Sequence, residues 1–361
     1  MLVQDFCRSL FGPNPPVQQC HFYNLARTEW LHSGIYSCEK GNVDPLSEIA
    51  SGFFDGKRVA VTGGTGSFGH FIIHALLDLN VAEVIVVSRD EEKQLDMKRE
   101  ISDSRLRFII ADVRDPDRMR ECLCADYVYH AAALKIIPTG EEFPLESIKT
   151  NVLGTLNVKN ACLENDIEKA VFISTDKAVK PVNSYGMAKA LAERLWLDPR
   201  LGRTCFSVVR YGNVIGSRGS VIPFFKQLIK EGKPLPVTHK NMSRFLLTLE
   251  EAISLVFLAT RDMKGGEIFI PRIPACSVQV LIEAMTGRSY PTKDIGIRPG
   301  EKIAETLISE EEMRRTVEKE THFVIHRFVG NTSSDVRQEY TSETARQLTV
   351  EEIRKILEKS N

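Results

Sequence analysis

No stretch of this 361-residue sequence approaches 18 uninterrupted apolar residues, and its first residues lack the basic, apolar and small-residue order of an export signal. A soluble cytoplasmic protein without a membrane partner is the expectation. Charge of one sign is equally scarce. The 47 Lys and Arg balance 48 Asp and Glu, and no block of five or six like charges occurs, which argues against a nucleic-acid or polybasic membrane surface. A small-molecule partner fits better. The eight cysteines are scattered, with Cys122 and Cys124 the one close pair, so no zinc spacing or disulfide framework is visible and free thiols are expected. Cys20, His21, His32 and Cys38 share a short region and stay open as a metal set, although structural sites use tighter pairs; no metal is expected. Internal repeats are also missing. What is present is ample core material, 43% apolar residues over a length that exceeds one average domain.

Residues 1–54 carry Pro13, Pro15, Pro16 and three of the cysteines without sustained periodicity, and read as an irregular extension. From Lys57 onward short Val/Ile-rich runs alternate with amphipathic stretches. Strands are predicted at 58–62, 83–88, 107–111, 127–130, 170–174 and 205–210, and helices at 70–79, 92–101, 117–122, 148–165 and 184–196. Such alternation implies an α/β fold, a doubly wound parallel sheet covered on both faces, with ligands outside the carboxyl ends of its strands. After Arg210 proline and glycine turns multiply, so a smaller C-terminal substrate-binding region is expected over 216–330, partly returning to the sheet. In the tail, 331–361, Thr349-Val350-Glu351-Glu352 reads as a capping box opening a helix to about Lys359.

Gly63, Gly66 and Gly69 lie three apart between the first strand and the first helix. Gly63 permits the tight turn, Gly66 lets the backbone approach a pyrophosphate, and Gly69 lets helix and strand pack closely; Thr65, Ser67 and Phe68 complete the loop. Residues 55–215 are therefore expected to bind a dinucleotide. Ser88 and Arg89 follow the second strand, where the adenosine ribose is read, and Asp90 and Glu91 come next. An Arg there suits a 2′-phosphate and an acidic residue a free hydroxyl, so NADP is favoured and NAD stays open, beside a reading of Arg89 and Asp90 as solvated charges at a helix start. Asp112-Val113 is placed to meet the adenine amino group or simply to start a helix, and Ala131-Ala132-Ala133 leaves room for cofactor or packs the core. Tyr185 and Lys189, four apart, share one helix face. A phenol titrates near about 10, and a neighbouring ammonium with an oxidised nicotinamide would lower that value, allowing Tyr185 to accept a proton from a sugar hydroxyl.

With these motifs the chain resembles the extended short-chain dehydrogenase/reductases, which have a Rossmann fold. Ala132-Ala133-Leu134-Lys135, Lys149 to Val152, Ser174 to Ala178, Arg210 to Val214, Ser217 to Pro223 and Ile297 to Lys302 narrow the resemblance to the inverting UDP-N-acetylglucosamine 4,6-dehydratases, over about residues 56–355. That resemblance implies a UDP-N-acetylglucosamine-type substrate. It also implies that Lys177 removes the C5 proton once C4 is a ketone, that Asp176 protonates the departing C6 hydroxyl, and that Thr175 holds the C4 oxygen. To act as a base at neutral pH, Lys177 must fall by about three pKa units, roughly 4 kcal/mol, through burial and the charges of Lys189 and nicotinamide. Asp176 needs a dry site to hold its proton; a surface ion pair of the two residues is the competing reading. Arg298 and Glu301 are expected at the diphosphate and ribose. Asn213, Arg218 and Arg244 are placed near the sugar nucleotide by resemblance, or are structural. Asn151 is expected to support the active-site helix, and the role of Lys135 is left open. The helices over 148–165 and 184–196 resemble a superfamily dimer contact, which implies a homo-oligomer. A UDP-sugar 4-epimerase, which needs Tyr185 and Lys189 but not Asp176-Lys177, and a non-catalytic NADP-binding regulator are the alternatives.

Overall fold

Strand β1 (Arg58–Thr62) forms because four of its five side chains enter a dry interior, Val59, Ala60, Val61 and Thr62 being fully buried. The same logic places β2 (Glu83–Ser88), β3 (Leu106–Ile110), β4 (Tyr127–His130), β5 (Lys169–Thr175) and β6 (Cys205–Tyr211). The computed structural model describes residues 50, 52–199, 202–216, 221–287, 289–327 and 338–359. The Cys/His set of the N-terminal extension and Arg218 lie outside the described residues.

Helices α1 (Ser67–Leu77), α2 (Glu91–Glu100) and α3 (Pro116–Cys122) connect the first four strands. After β4 come α4 (Ile137–Glu142), α5 (Pro144–Ser147), a π turn (Ile148–Leu153) and α6 (Gly154–Glu164). Past β5 a 3₁₀ turn (Asp176–Ala178) leads to α7 (Ser184–Trp196), and β6 follows. The remainder holds β7 (Asn213–Val214), α8 (Val221–Lys230), β8 (Leu235–Val237), β9 (Ser243–Leu247), α9 (Leu249–Asp262), β10 (Ile268–Pro271), β11 (Ala275–Ser277) and α10 (Val278–Thr286). It ends with β12 (Thr292–Asp294), β13 (Thr306–Ile308), α11 (Glu310–Met313), β14 (Thr316–Glu318), β15 (His322–Ile325), β16 (Tyr340–Thr341) and α12 (Val350–Lys359).

The main sheet runs β14-β15-β10-β6-β5-β4-β1-β2-β3. It is parallel from β3 to β10, as expected of a doubly wound sheet, and is extended at one side by β15, antiparallel to β10, and β14, antiparallel to β15. Chain order reverses between β1 and β4, and ligands of open α/β sheets bind at that crevice. This is the Rossmann arrangement. Two helix predictions shift: α1 starts at Ser67 ahead of residue 70, and the helix expected from Ile148 opens with a π turn, a feature that recurs at functional sites.

Phe53 and Phe54, at the end of the segment read as irregular, join the core. The Phe53 ring stacks on Tyr127 with centroids 5.3 Å apart, and Phe54 lies 4.8 Å from Phe257. A second apolar cluster joins Leu281 and Ala284 of α10 to Ile353, Ile356 and Leu357 of α12 and to Ile222 of α8. Helix α12 starts as predicted: Thr349 N donates to Glu352 Oε2 at 2.9 Å and Glu352 N donates to Thr349 Oγ1 at 3.2 Å. Among the described residues no helix is long and apolar enough to cross a membrane, and the five described cysteines are unpaired.

Candidate active site

Gly63, with φ +70°, turns the chain at the end of β1; a Cβ there would sit 2.7 Å from the backbone nitrogen of Ala132. A Cβ on Gly69 would fall 2.5 Å from Gly64 Cα, so α1 presses on the loop as no side chain would permit. Helix α1 opens at Gly66 with no side-chain cap, which leaves its first N–H groups to the loop. Ser67 begins the helix, and the Phe68 ring packs 6.4 Å from that of Tyr211. Thr65 Oγ1 and Ser88 Oγ share a hydrogen bond of 2.8 Å, and Ser88 Oγ also accepts from Asp90 N at 3.2 Å, which ties the glycine loop to the end of β2. Asp90 caps α2 by accepting from Lys93 N, so of the charges at this position it is spent on the helix. Arg89 stays exposed, its guanidinium 3.8 Å from Asp112. Burial pulls the Asp112 carboxyl upward, but hydrogen bonds from Arg114 prevail and hold it below the usual range. Val113 is buried under Gly154, and its carbonyl accepts from Asn157 Nδ2 at 3.0 Å. The glycine cradle, the uncapped helix and Arg89 together fit a dinucleotide diphosphate and its ribose end.

The 3₁₀ turn after β5 brings the expected chemistry together. Asp176 is fully buried; its Oδ1 accepts from Thr175 Oγ1 at 2.9 Å and from Lys177 Nζ at 3.0 Å, while Oδ2 has no partner. Lys177 Nζ also lies 3.3 Å from Glu305 Oε1. Burial alone would lower the Lys177 ammonium, yet the Asp176 and Glu305 carboxylates outweigh it and push it up. The expected fall of about three units is thus corrected. Its cause is the adjacent Asp176 carboxylate, joined by that of Glu305 from far along the chain.

Helix α7 packs on that turn because residue 186 is glycine: a Cβ there would stand 2.2 Å from the Lys177 carbonyl oxygen. Tyr185 faces Thr175 and Lys177, and its phenol is pushed up to about 12, by burial first, with Asp176 adding and Lys177 and a Thr175 hydrogen bond opposing. The expectation that Lys189 lowers the phenol is corrected, since Lys177 is the cation that acts on it. Lys189 is buried, donates to Ile173 O at 2.6 Å and stands 3.7 Å over the Phe172 ring. Burial lowers it to about 7 against the pull of Glu193.

Asn183 caps α7 by accepting from Gly186 N at 2.7 Å and donates through Nδ2 to Gly300 O at 2.7 Å. The loop holding Arg298 and Glu301 is thereby fastened to the helix that carries Tyr185. Lys302 Nζ, donating to Val179 O at 2.6 Å, fixes it a second time. Arg298 is exposed and pairs with Glu301 at 2.9 Å. Arg244 donates to the carbonyls of Ser243, Ile303 and Lys302, so part of its fork maintains this loop. Asn213 Oδ1 is buried without a partner, in a small cavity shared with Arg244 and Cys276. Lys135 is exposed just after Leu134, whose N–H and C=O are both bonded by the Asn151 side chain. Asn151 therefore positions the chain leaving β4.

Several contributors escaped sequence reading. Buried His130 accepts at Nδ1 from Thr62 Oγ1 (2.6 Å) and donates from Nε2 to Thr155 Oγ1 (3.0 Å), because Thr155 spends its own proton on Asn151 O. Burial, helped by Lys189, drives that imidazole down to about 3, so it is a neutral tie between β1, β4 and α6. Arg210 of β6 bonds Glu193 of α7 at 2.6 Å, Glu312 of α11 at 3.0 Å and Leu307 O at 2.9 Å, all buried. Arg210→Met leaves both carboxylates uncompensated and is expected to cost about 3–5 kcal/mol. Chemical denaturation measures this, and an unmoved midpoint would show that the network does not secure α7. Metal-ligating side chains gather once among the described residues, at His70, His74 and Glu100, on α1 and α2.

The polysaccharide biosynthesis protein family matches residues 59–327. The chain belongs to that family. Like other members it is an extended short-chain dehydrogenase/reductase. A protein named UDP-N-acetylglucosamine 4,6-dehydratase (inverting) from Campylobacter jejuni is 44% identical over 279 residues, 75% of this chain and 83% of its own. A protein named UDP-glucose 4-epimerase from Rickettsia akari is 38% identical over 327 residues, 84% of this chain and 96% of its own. Among solved structures, Pen from Bacillus thuringiensis is 37% identical with a TM-score of 0.79, covering 84% of this chain and 99% of that one.

Proposed function

We propose that this family member is an NADP-dependent UDP-N-acetylglucosamine 4,6-dehydratase that inverts C5. The observation that carries the reading is the pair of buried Asp176 and half-buried Lys177 beside Thr175 and Tyr185, which an epimerase does not require. Gly63, Thr65, Gly66, Ser67, Phe68 and Gly69 hold the diphosphate; Ser88, Arg89, Asp112, Val113 and Ala132 surround the adenosine; Tyr185 and Lys189 meet the nicotinamide end. When bound, the nicotinamide supplies a hydride acceptor for C4 and a hydride donor for C6. Tyr185, with Thr175, takes the C4 hydroxyl proton. Lys177 as amine removes the C5 proton, now acidic beside the ketone, and Asp176 delivers its proton to the C6 hydroxyl, which leaves as water. Reprotonation of C5 on the opposite face yields UDP-2-acetamido-2,6-dideoxy-L-arabino-hex-4-ulose, a precursor for surface glycans. Arg244, Arg298, Glu301, Asn213 and Arg218 serve the nucleotide sugar, the unpartnered Asn213 oxygen suiting an amide N–H.

Exposed Met187 and Leu191, one turn apart on α7, and Ile148 and Leu153 on the π turn form an apolar face suited to a second copy of the chain. A nucleotide-sugar substrate fits a cytoplasmic enzyme. Proton NMR of UDP-N-acetylglucosamine with the protein in deuterium oxide tests the function. A new C6 methyl, deuterium at C5 and an L-configured product support it. Inversion at C4 alone would instead make the protein an epimerase, as the Rickettsia relative is named, and an unchanged spectrum would leave a binding protein or another substrate. Arg89→Ala is expected to weaken NADP about tenfold to a hundredfold, the worth of a charged hydrogen bond, and to spare NAD. Fluorescence titration with both dinucleotides checks this; equal weakening would make Arg89 a loop-shaping residue.

A further inference from the structure

Glu305 belongs to none of the roles assigned above, yet it is buried and faces three cations. Its Oε1 lies 3.3 Å from Lys177 Nζ and 3.8 Å from Arg244 Nε, and its Oε2 lies 3.7 Å from Lys302 Nζ with no hydrogen-bond partner. Its backbone is anchored: Glu305 N donates to Ser342 Oγ at 3.0 Å and Ser342 N donates to Glu305 O at 2.8 Å. The carboxylate therefore meets Lys177 from a rigid support. We infer that Glu305 is a positioning residue, whose carboxylate holds the Lys177 ammonium in place and sets the pH at which that lysine releases its proton and becomes a base.

The inference rests on the dehydratase reading for its catalytic meaning, but not for its physics. Every charged or titratable group facing Lys177 enters the balance. Asp176 and Glu305 favour the ammonium, Arg244 and Lys302 oppose it, and Tyr185 lies within reach of its field. As the acid of the reaction, Asp176 must carry a proton before C6 loses its hydroxyl. In that state Glu305 is the carboxylate left against Lys177, so the charge of Glu305 governs how readily the amine forms. Converting Glu305 to its amide keeps shape and an acceptor oxygen while removing the charge, and it leaves Arg244 and Lys302 unopposed. Both changes favour the neutral amine.

Glu305→Gln is expected to lower the titration midpoint of Lys177 by about one to three pH units, the range for removing an opposite charge within a few ångströms. The direct readout is NMR of protein labelled with ¹³C at lysine Cε, the Lys177 signal being assigned by its loss in Lys177→Arg; no substrate is needed. In parallel, the acid limb of C5 deuterium exchange with UDP-N-acetylglucosamine should move down by the same amount. A structural role alone would lower activity and leave both midpoints in place, which overturns the inference. If the Lys177 signal shifts but the unsubstituted protein exchanges no C5 proton, the inference stands and the dehydratase reading fails. Glu305→Asp, which keeps the charge but withdraws it, should produce a smaller shift in the same direction, and it serves should the amide variant not fold. An unmoved Lys177 signal in that folded variant also overturns the inference.

Discussion

Lys177→Ala is expected to suppress exchange of the C5 proton with solvent deuterium by about 10²- to 10⁴-fold, the usual contribution of a positioned base, while NADP binding is retained. The geometry supplies the reason. Lys177 lies in the 3₁₀ turn, held by Asp176 and Glu305, whereas the glycine loop, Arg89 and Lys189 are built from other elements. Removing the amine therefore leaves the dinucleotide cradle intact. It also withdraws the cation that acts on the Tyr185 phenol, so C4 oxidation should slow as well, by a smaller factor. NMR of recovered substrate measures the exchange, and fluorescence titration measures the dinucleotide. Persistent exchange in the variant would assign the base to another group.

Gly186→Ala is expected to reduce turnover about 100-fold and to destabilise the fold by roughly 1–3 kcal/mol. The added methyl would stand 2.2 Å from the Lys177 carbonyl oxygen, and the neighbour in its way is backbone, which has no free end to swing aside. Either α7 or the Asp176–Ala178 turn must move by the order of an ångström. Overpacking of this kind costs about 1–3 kcal/mol, and a misplacement of about 1 Å between catalytic groups costs about 10²-fold in rate. Because Tyr185 and Lys177 lie on the two pieces forced apart, the rate should suffer more than the fold. Steady-state kinetics beside thermal unfolding separates the two effects. A variant with normal turnover would show that the turn and helix have room to separate without disturbing the reaction.

Much of the frame was legible because its signals are local. Three glycines at fixed spacing can be recognised without a structure, since each answers to the backbone within a few residues of itself. The same holds for strands β1 to β6, whose apolar runs were long enough to mark them within a residue or two, and for the capping box at Thr349, whose partners sit three residues apart. The π turn at Ile148 was not legible. Its apolar spacing reads as ordinary helix, and the irregularity belongs with Asn151, whose amide spans to Leu134 in the loop after β4. Strands β14 and β15 are short, and nothing near them in sequence announces that β15 pairs with β10 and β14 with β15.

Charge was where local reading erred. Lys177 and Tyr185 were identified from their motif positions, but their proton affinities were expected to fall, and both are raised. A pKa depends on burial and on charges within a few ångströms, and those neighbours come from anywhere in the chain. By itself the sequence determined the glycine loop, the strand alternation, the shared helix face of Tyr185 and Lys189 and the Asp176-Lys177 pair, because spacing along one element sets each of these. Only the tertiary structure decided that Asn183 fastens the Gly300 loop to α7, that Arg210 joins Glu193 to Glu312, and that Glu305 stands against Lys177. Those contacts join elements remote in sequence, and packing of the sheet, rather than any local pattern, brings their side chains within hydrogen-bonding and Coulomb range.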